Sequence, residues 1–381
     1  MAAAAKACLG SRSDCWKIQE GRIRPVKNNT GEFRLFYRSR RPEFGGIRSQ
    51  QKQIRGDPVV VNGNAQAVRL EDKEGGGQRR RLRVAYQGMP GAFSEAAATV
   101  VHPGCEGVPC KGYEDAIWAV ESRRAERAIL PVEGTLEGNV VRNYDLLLHH
   151  SLQIVDETQL FVNYCLLAAP GVSKSEIRRV ISHPTALAHC SHGLAKVGLD
   201  GVTREAVEDT AAAAELIMEH RFRDTAAIAS CRAAGIYGLD VLARGVQDEP
   251  WNVTRFLVLA RAAAAAQAGD DHRPWKTSIV IAHEGGLEVL MKVLAVFSSQ
   301  GISLTKLEVR PNGAGSAPLR VLDVDNGGGT VRQFEYVFYI DFDASMANPN
   351  AREALEEVRG FATFVRVLGS YVSDPKIHSF D

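Results

Sequence analysis

Arg178-Arg179-Val180-Ile181-Ser182-His183-Pro184-Thr185-Ala186-Leu187 carries a short apolar strand, Arg178 to Ile181, into a helical stretch from Pro184 to Val197. The same change of rhythm recurs on both sides. Val84-Ala85-Tyr86 opens an earlier buried strand, and Arg127-Ala128-Ile129-Leu130 reads as another. Ala226-Ala227-Ile228-Ala229 precedes a helix, Cys231 to Tyr237, that Gly238 ends. Thr210 is placed to cap a helix from Ala211 to Glu219, because its hydroxyl can accept an exposed helix N–H. Phe256-Leu257-Val258-Leu259 is a late strand. Short apolar runs alternating with helical periodicity predict an α/β domain over 81–261 with mostly parallel strands.

Beyond an Ala/Gly/Asp linker at 262–275 the rhythm changes. Thr277 to Ala282 reads as a strand, and Leu287, Leu290, Met291, Leu294 and Phe297 recur at helical spacing. A strand from Ile302 to Val309 follows, and Leu319 to Val324 is expected to extend its sheet. After Gly327-Gly328-Gly329 come a strand from Phe334 to Phe342, a helix from Pro349 to Val358 and a strand from Phe364 to Tyr371. The order β-α-β-β-α-β over 276–373 is ferredoxin-like.

The 381 residues, 45% of them hydrophobic, suffice for two or three domains with real cores. A net charge of +1 argues against a nucleic-acid binder. No run approaches the roughly 20 apolar residues of a membrane span. Seven scattered cysteines without a close CxxC pair fit a reducing compartment. Residues 1–50 hold eleven Lys or Arg against four acids, and Glu71 to Arg81 is a polar, Gly-rich run. Residues 1–80 are therefore expected to be an organellar transit peptide and a flexible linker.

Four segments carry groups suited to chemistry. Gly88-Met89-Pro90-Gly91 turns a strand into a helix whose first N–H groups suit a carboxylate ligand. Pro131-Val132-Glu133-Gly134-Thr135 follows a strand, where α/β folds place sites. Ser182-His183-Pro184-Thr185 starts a helix bearing His189 and His192. With those two at i and i+3, and no matching acid or Cys pair, no metal site is expected. Asn252-Val253-Thr254-Arg255-Phe256 offers a hydroxyl and a guanidinium, the latter a planar fork for carboxylates. Each segment alone also has a plain structural account.

In this order the four segments resemble the catalytic region of the prephenate and arogenate dehydratase family, over Val84 to Arg261. The later domain resembles the ACT regulatory domain that follows it there. Arg142-Asn143-Tyr144-Asp145-Leu146-Leu147-Leu148, Ile236-Tyr237-Gly238-Leu239 and Arg366-Val367-Leu368-Gly369-Ser370-Tyr371 are similar to the plant branch. The resemblance implies two α/β lobes of the periplasmic-binding-protein type with the site in their cleft. It implies removal of water and CO2 from arogenate or prephenate without a cofactor, in the chloroplast stroma. Thr254 would be the catalytic hydroxyl, coupled to Glu133. Thr135, Ser182, Thr185, Arg255 and Phe256 would bind substrate. Phenylalanine would be an effector at Glu288, Val289 and Leu290 and at Glu308, Val309, Arg310 and Pro311, and the chain would form a homo-oligomer.

Several positions depart from the family pattern. Gly134 stands where the family has Asn, and Thr185 and His189 where it has Gln. Glu308-Val309-Arg310-Pro311 replaces Glu-Ser-Arg-Pro. Glu288 replaces a glycine, unless Gly285 or Gly286 serves in its place. These changes imply reduced catalytic efficiency and weak phenylalanine binding. The competing class is a dehydratase-like small-ligand sensor or regulatory partner. Retention of Glu133 and Thr254 favours the enzyme.

Overall fold

A computed structural model describes residues 81–262, 274–283, 287–311, 319–323 and 330–379, all within the unit Gly76–Asp381. The transit-peptide expectation for 1–80, most of the 262–275 linker and the Gly285-Gly286 alternative lie outside the described residues.

The first lobe is built on a seven-stranded mixed sheet. Arg83–Gln87 lies between Glu106–Cys110 and Arg127–Gly134, parallel to both. Val253–Ala260 then runs antiparallel between Arg127–Gly134 and Gln153–Phe161. Gly138–Asn139 folds back on Glu133 and Gly134. The run Ala128 to Val132 is buried throughout, as a central strand covered on both faces requires. It extends to Gly134, so Glu133 lies on the strand and not in a loop after it.

The second lobe holds a five-stranded sheet of Cys165–Ala168, Arg179–Ser182, Thr203–Ala206, Thr225–Ala229 and Asp240–Arg244. The chain crosses between lobes after Phe161 and again before Val253. Because each crossing feeds one strand in the reverse direction, both sheets are mixed, while the other main strands of each sheet run the same way, as the expected mostly parallel order has it. The helix expected from Pro184 to Val197 is two, Pro184–His189 and Ser191–Lys196. Asp248 holds the break: its N–H donates to His189 O at 2.7 Å and its carboxylate accepts from Gly193 N at 2.7 Å. The helix Thr210–His220 is capped by Asp209 rather than Thr210, because the Asp209 carboxylate accepts from both Ala211 N and Ala212 N.

The C-terminal region is ferredoxin-like. Its four antiparallel strands lie in the order Leu304–Pro311, Tyr336–Phe342, Trp275–His283, Phe364–Val372. Leu319–Asp323 does not extend this sheet. It pairs with Thr330–Phe334 as a separate hairpin. Alternation sorts the two faces of the sheet. Ile279, Ile281, Phe338 and Ile340 pack on the helices Glu288–Ser299 and Pro349–Phe361. Val280, Ala282, Val337, Tyr339 and Tyr371 pack on Tyr144, Leu147, Leu148 and Leu257 of the first lobe, so the two share one core. At Gly369 a Cβ would meet Ile154 O at 2.1 Å, so only glycine permits that approach. The tail strand Ile377–His378 then joins the first-lobe sheet beside Gln153–Phe161.

Candidate active site

The lobes face each other across a cleft of about 960 Å³. One wall is the start of Val253–Ala260. Asn252, Thr254 and Phe256 line the cleft at the two-residue period of an extended chain. The intervening Arg255 points the other way. A bulge where Arg255 pairs with Glu133 and Phe256 with Pro131 leaves Val132 unpaired beside them.

The turn expected to receive a carboxylate closes the lobes instead. Met89 N donates to Asp209 Oδ2 at 2.8 Å, and Gly91 O accepts from Ser230 Oγ at 2.6 Å. Arg232 pairs with Glu95 at 3.1 Å. Gly91 has φ +94°, and a Cβ there would meet Ala233 Cα at 2.9 Å. A further clasp joins His189 Nε2 to Glu137 Oε1 at 2.5 Å, both residues lining the cleft.

Thr254, Phe256 and Thr185 are thus brought together on the cleft. The other expected site residues are not. Ser182 is fully buried and its hydroxyl donates to Ile228 O at 2.6 Å; His183, next to it, faces the cleft. Burial lowers the His183 pKa and favours the neutral imidazole. The Thr135 hydroxyl donates to Trp251 O and accepts from Val253 N, each at 2.9 Å, so both its functions serve the fold.

Glu133 and Arg255 lie behind the strand, which corrects the expected coupling of Glu133 to Thr254. The strand's alternation sends Arg255 into a cluster shared with the C-terminal domain. Its guanidinium meets Glu133 and Asp341 at 2.8 Å and Glu157 at 2.7 Å, and donates to Tyr371 OH at 3.1 Å. Lys306 donates to Glu133 at 2.7 Å, and Lys276 to Glu157 at 2.8 Å. Burial pushes the Glu133 carboxyl up, but the Lys306 and Arg255 hydrogen bonds and charges outweigh it, and the net pKa is low. Burial likewise raises Glu157, and Arg255 and Lys276 bring it below its ordinary value.

The expected effector residues divide. Val289 is buried in the helix-side core, and Val309, partly buried, packs against it. Leu290 is partly buried on the same core, whereas Glu288 and Pro311 are exposed. Glu308 accepts from Asn139 Nδ2, and Arg310 pairs with Asp145 at 2.9 Å. Both side chains therefore turn to the first lobe.

Sequence reading missed Asn143, Asn252 and the long-range partners Lys306 and Asp341. Asn143 is buried, lines the cleft and donates to Pro131 O at 2.7 Å. Alternation with Thr254 was a signal for Asn252; nothing local pointed to Lys306 or Asp341. Among the described residues no three His, Cys, Asp or Glu side chains converge as metal ligands. No helix among them is long and apolar enough to cross a membrane.

The geometry can be set beside known proteins. Arogenate dehydratase/prephenate dehydratase 6, chloroplastic, of Arabidopsis thaliana is 57% identical over 293 residues, 77% of this chain and 69% of its own. The prephenate dehydratase of Arthrobacter aurescens, solved with L-Phe, matches with TM-score 0.65 and 28% identity, over 76% of this chain and 90% of its own. GqqA, described as a novel type of quorum-quenching acylase, matches with TM-score 0.64 and 30% identity, over 77% of this chain and 98% of its own. Residues 84–264 match the family described as prephenate dehydratase. With that match spanning both lobes of the cleft, and a relative of this identity along most of its length, the chain belongs to the prephenate dehydratase family.

Proposed function

We infer that this chain is a decarboxylating dehydratase, a carbon–oxygen lyase that makes phenylalanine from arogenate, phenylpyruvate from prephenate, or both. The observation that carries the reading is Thr254, whose strand presents it to the cleft within the family-matched region. The chemistry needs few groups. The electron pair of the bond to the ring carboxylate moves through the diene and expels the opposite hydroxyl. One proton turns the departing hydroxide into water, CO2 leaves, and the ring becomes aromatic. No electron is gained or lost overall, so no redox cofactor is required.

Threonine is a weak acid. Its contribution is a hydrogen bond to the oxygen on which negative charge develops. Thr185 faces the cleft from the second lobe as another hydroxyl, and Phe256 supplies apolar wall. Glu133 has no direct role in bond breaking in this reading; it and Arg255 support the strand from behind. Lys111 and Arg142 are exposed on the cleft and can meet the substrate's carboxylates.

The relative's name places it in the chloroplast, and we assign this chain there, in the stroma. Phenylalanine, which is bound in the Arthrobacter aurescens structure, is proposed as a weak effector acting through the ferredoxin-like domain. That domain is taken as an ACT module through which chains form a homo-oligomer.

The test is turnover of arogenate and of prephenate by the wild type and by Thr254→Val, which keeps the β-branched shape. The variant should keep its circular-dichroism spectrum and lose about 100- to 1,000-fold in kcat. Near-normal turnover by the variant would remove Thr254 from its role. A wild type that binds both substrates and converts neither would favour a sensor.

A further inference from the structure

Asn252 is 5% exposed and lines the cleft two residues before Thr254. Its backbone is held at its own carbonyl and at both neighbouring residues. Its carbonyl accepts from Val162 N at 2.7 Å, and Thr135 Oγ1 bonds the neighbouring Trp251 O and Val253 N. The Asn252 Nδ2 is buried without a hydrogen-bond partner. The Tyr164 phenol, also on the cleft, is close enough to feel the amide, yet no hydrogen bond of acceptable geometry joins them.

A buried amide donor without a partner is costly, and replacing it by an apolar side chain of similar size is often neutral or stabilising. A fixed backbone that keeps such a group at a cleft wall points to a ligand that satisfies it. We propose that Asn252 Nδ2 is a substrate-binding donor that holds the carboxylate of the three-carbon side chain of arogenate or prephenate. The proposal rests on the dehydratase reading.

Spacing selects the group. Two residues of extended strand separate Asn252 from Thr254 by about 7 Å. That is comparable with the distance between opposite substituents of a six-membered ring. With the departing hydroxyl at Thr254, Asn252 lies at the other end, where the ring carboxylate and the three-carbon side chain share one carbon. A hydrogen bond to the ring carboxylate would hold back CO2. The side-chain carboxylate keeps its charge from substrate to product, so an amide N–H to it contributes binding without opposing the reaction. An uncharged amide also recognises this carboxylate equally beside an amino or a keto group.

The experiment uses the full chain and its Asn252→Leu and Asn252→Ala variants, with arogenate and prephenate as substrates and Thr254→Val as control. Asn252→Leu should raise KM about ten- to a hundredfold for whichever substrate is used. Its kcat should stay within a few-fold of wild type, and its melting temperature should be equal or higher. Thr254→Val should show the reverse pattern, a fall in kcat at similar KM. If leucine is too bulky to fold, Asn252→Ala reads the same KM change. Unchanged KM in a folded variant would overturn the proposal, since the amide would then serve only a water. A lowered melting temperature with a fallen kcat in both variants would also overturn it, in favour of a structural role. Absence of turnover in the wild type would instead count against the dehydratase reading.

Discussion

Asp341→Asn removes one carboxylate from a cluster in which Arg255, Lys276 and Lys306 face Glu133, Glu157 and Asp341. The side chains of Arg255 and Asp341 are 11% and 6% exposed, so water compensates little. Breaking one partner of a buried ion pair costs about 3–5 kcal/mol. Arg255 keeps Glu157 and Glu133, and asparagine still offers an oxygen, so we expect about 2 kcal/mol. For a unit of about 300 residues that lowers the melting temperature by about 3 °C. Glu133 and Glu157 have folded pKa values below their unfolded ones. The stability they give is present above the ordinary glutamate range and lost as pH falls through the lowered values. Because Arg255 adjoins Thr254, the same variant should lower kcat more than it raises KM. Thermal melts from about pH 4 to pH 8, with turnover at the upper end, measure both effects. A melting temperature and kcat equal to wild type at neutral pH would refute the argument that this cluster supports the catalytic strand.

Two further substitutions test other parts of the site. A Cβ at Gly134 would meet nothing nearer than 3.9 Å, and its φ is ordinary for L residues, so Gly134→Asn fits; it should raise kcat/KM about tenfold by supplying a cleft amide, and no gain would mean that the site works around glycine. Burial, with Asp374 and Glu157 nearby, raises the Asp156 pKa to about 6, so its ionisation opposes folding above that pH and not below its unfolded value. Asp156→Asn should therefore raise stability at about pH 8 by roughly 1 kcal/mol, discounted for partial exposure, and by little at about pH 4; equal shifts in urea midpoint at both pH values would contradict the assignment.

The local patterns were legible in the residues. The run Val253 to Ala260 is a strand because its apolar and β-branched residues suit an extended, half-buried chain. Cys231 to Tyr237 is a helix that Gly238 ends in the left-handed region, at φ 64°. The ferredoxin-like order is legible for the same reason: each element announces its own period. The chemistry-bearing segments were legible as motifs, and Thr254, Phe256 and Thr185 do reach the cleft.

What the residues alone did not decide is which side of each motif faces the cleft. Alternation fixes that Thr254 and Arg255 point oppositely, but not which of them meets the second lobe. That follows from the C-terminal sheet covering one side of the strand, where Asp341 and Tyr371 receive Arg255. Glu133 was drawn the same way, by Arg255 and Lys306, 122 and 173 residues along the chain. The helix break at Cys190 depended on Asp248 in a distant loop. Sequence determined the periodic elements because backbone geometry and side-chain period act over a few residues. Tertiary structure decided the burial of Ser182, the pairing of Glu133 and the unpartnered Asn252 amide. Desolvation and ion pairing depend on neighbours that only the folded chain brings together.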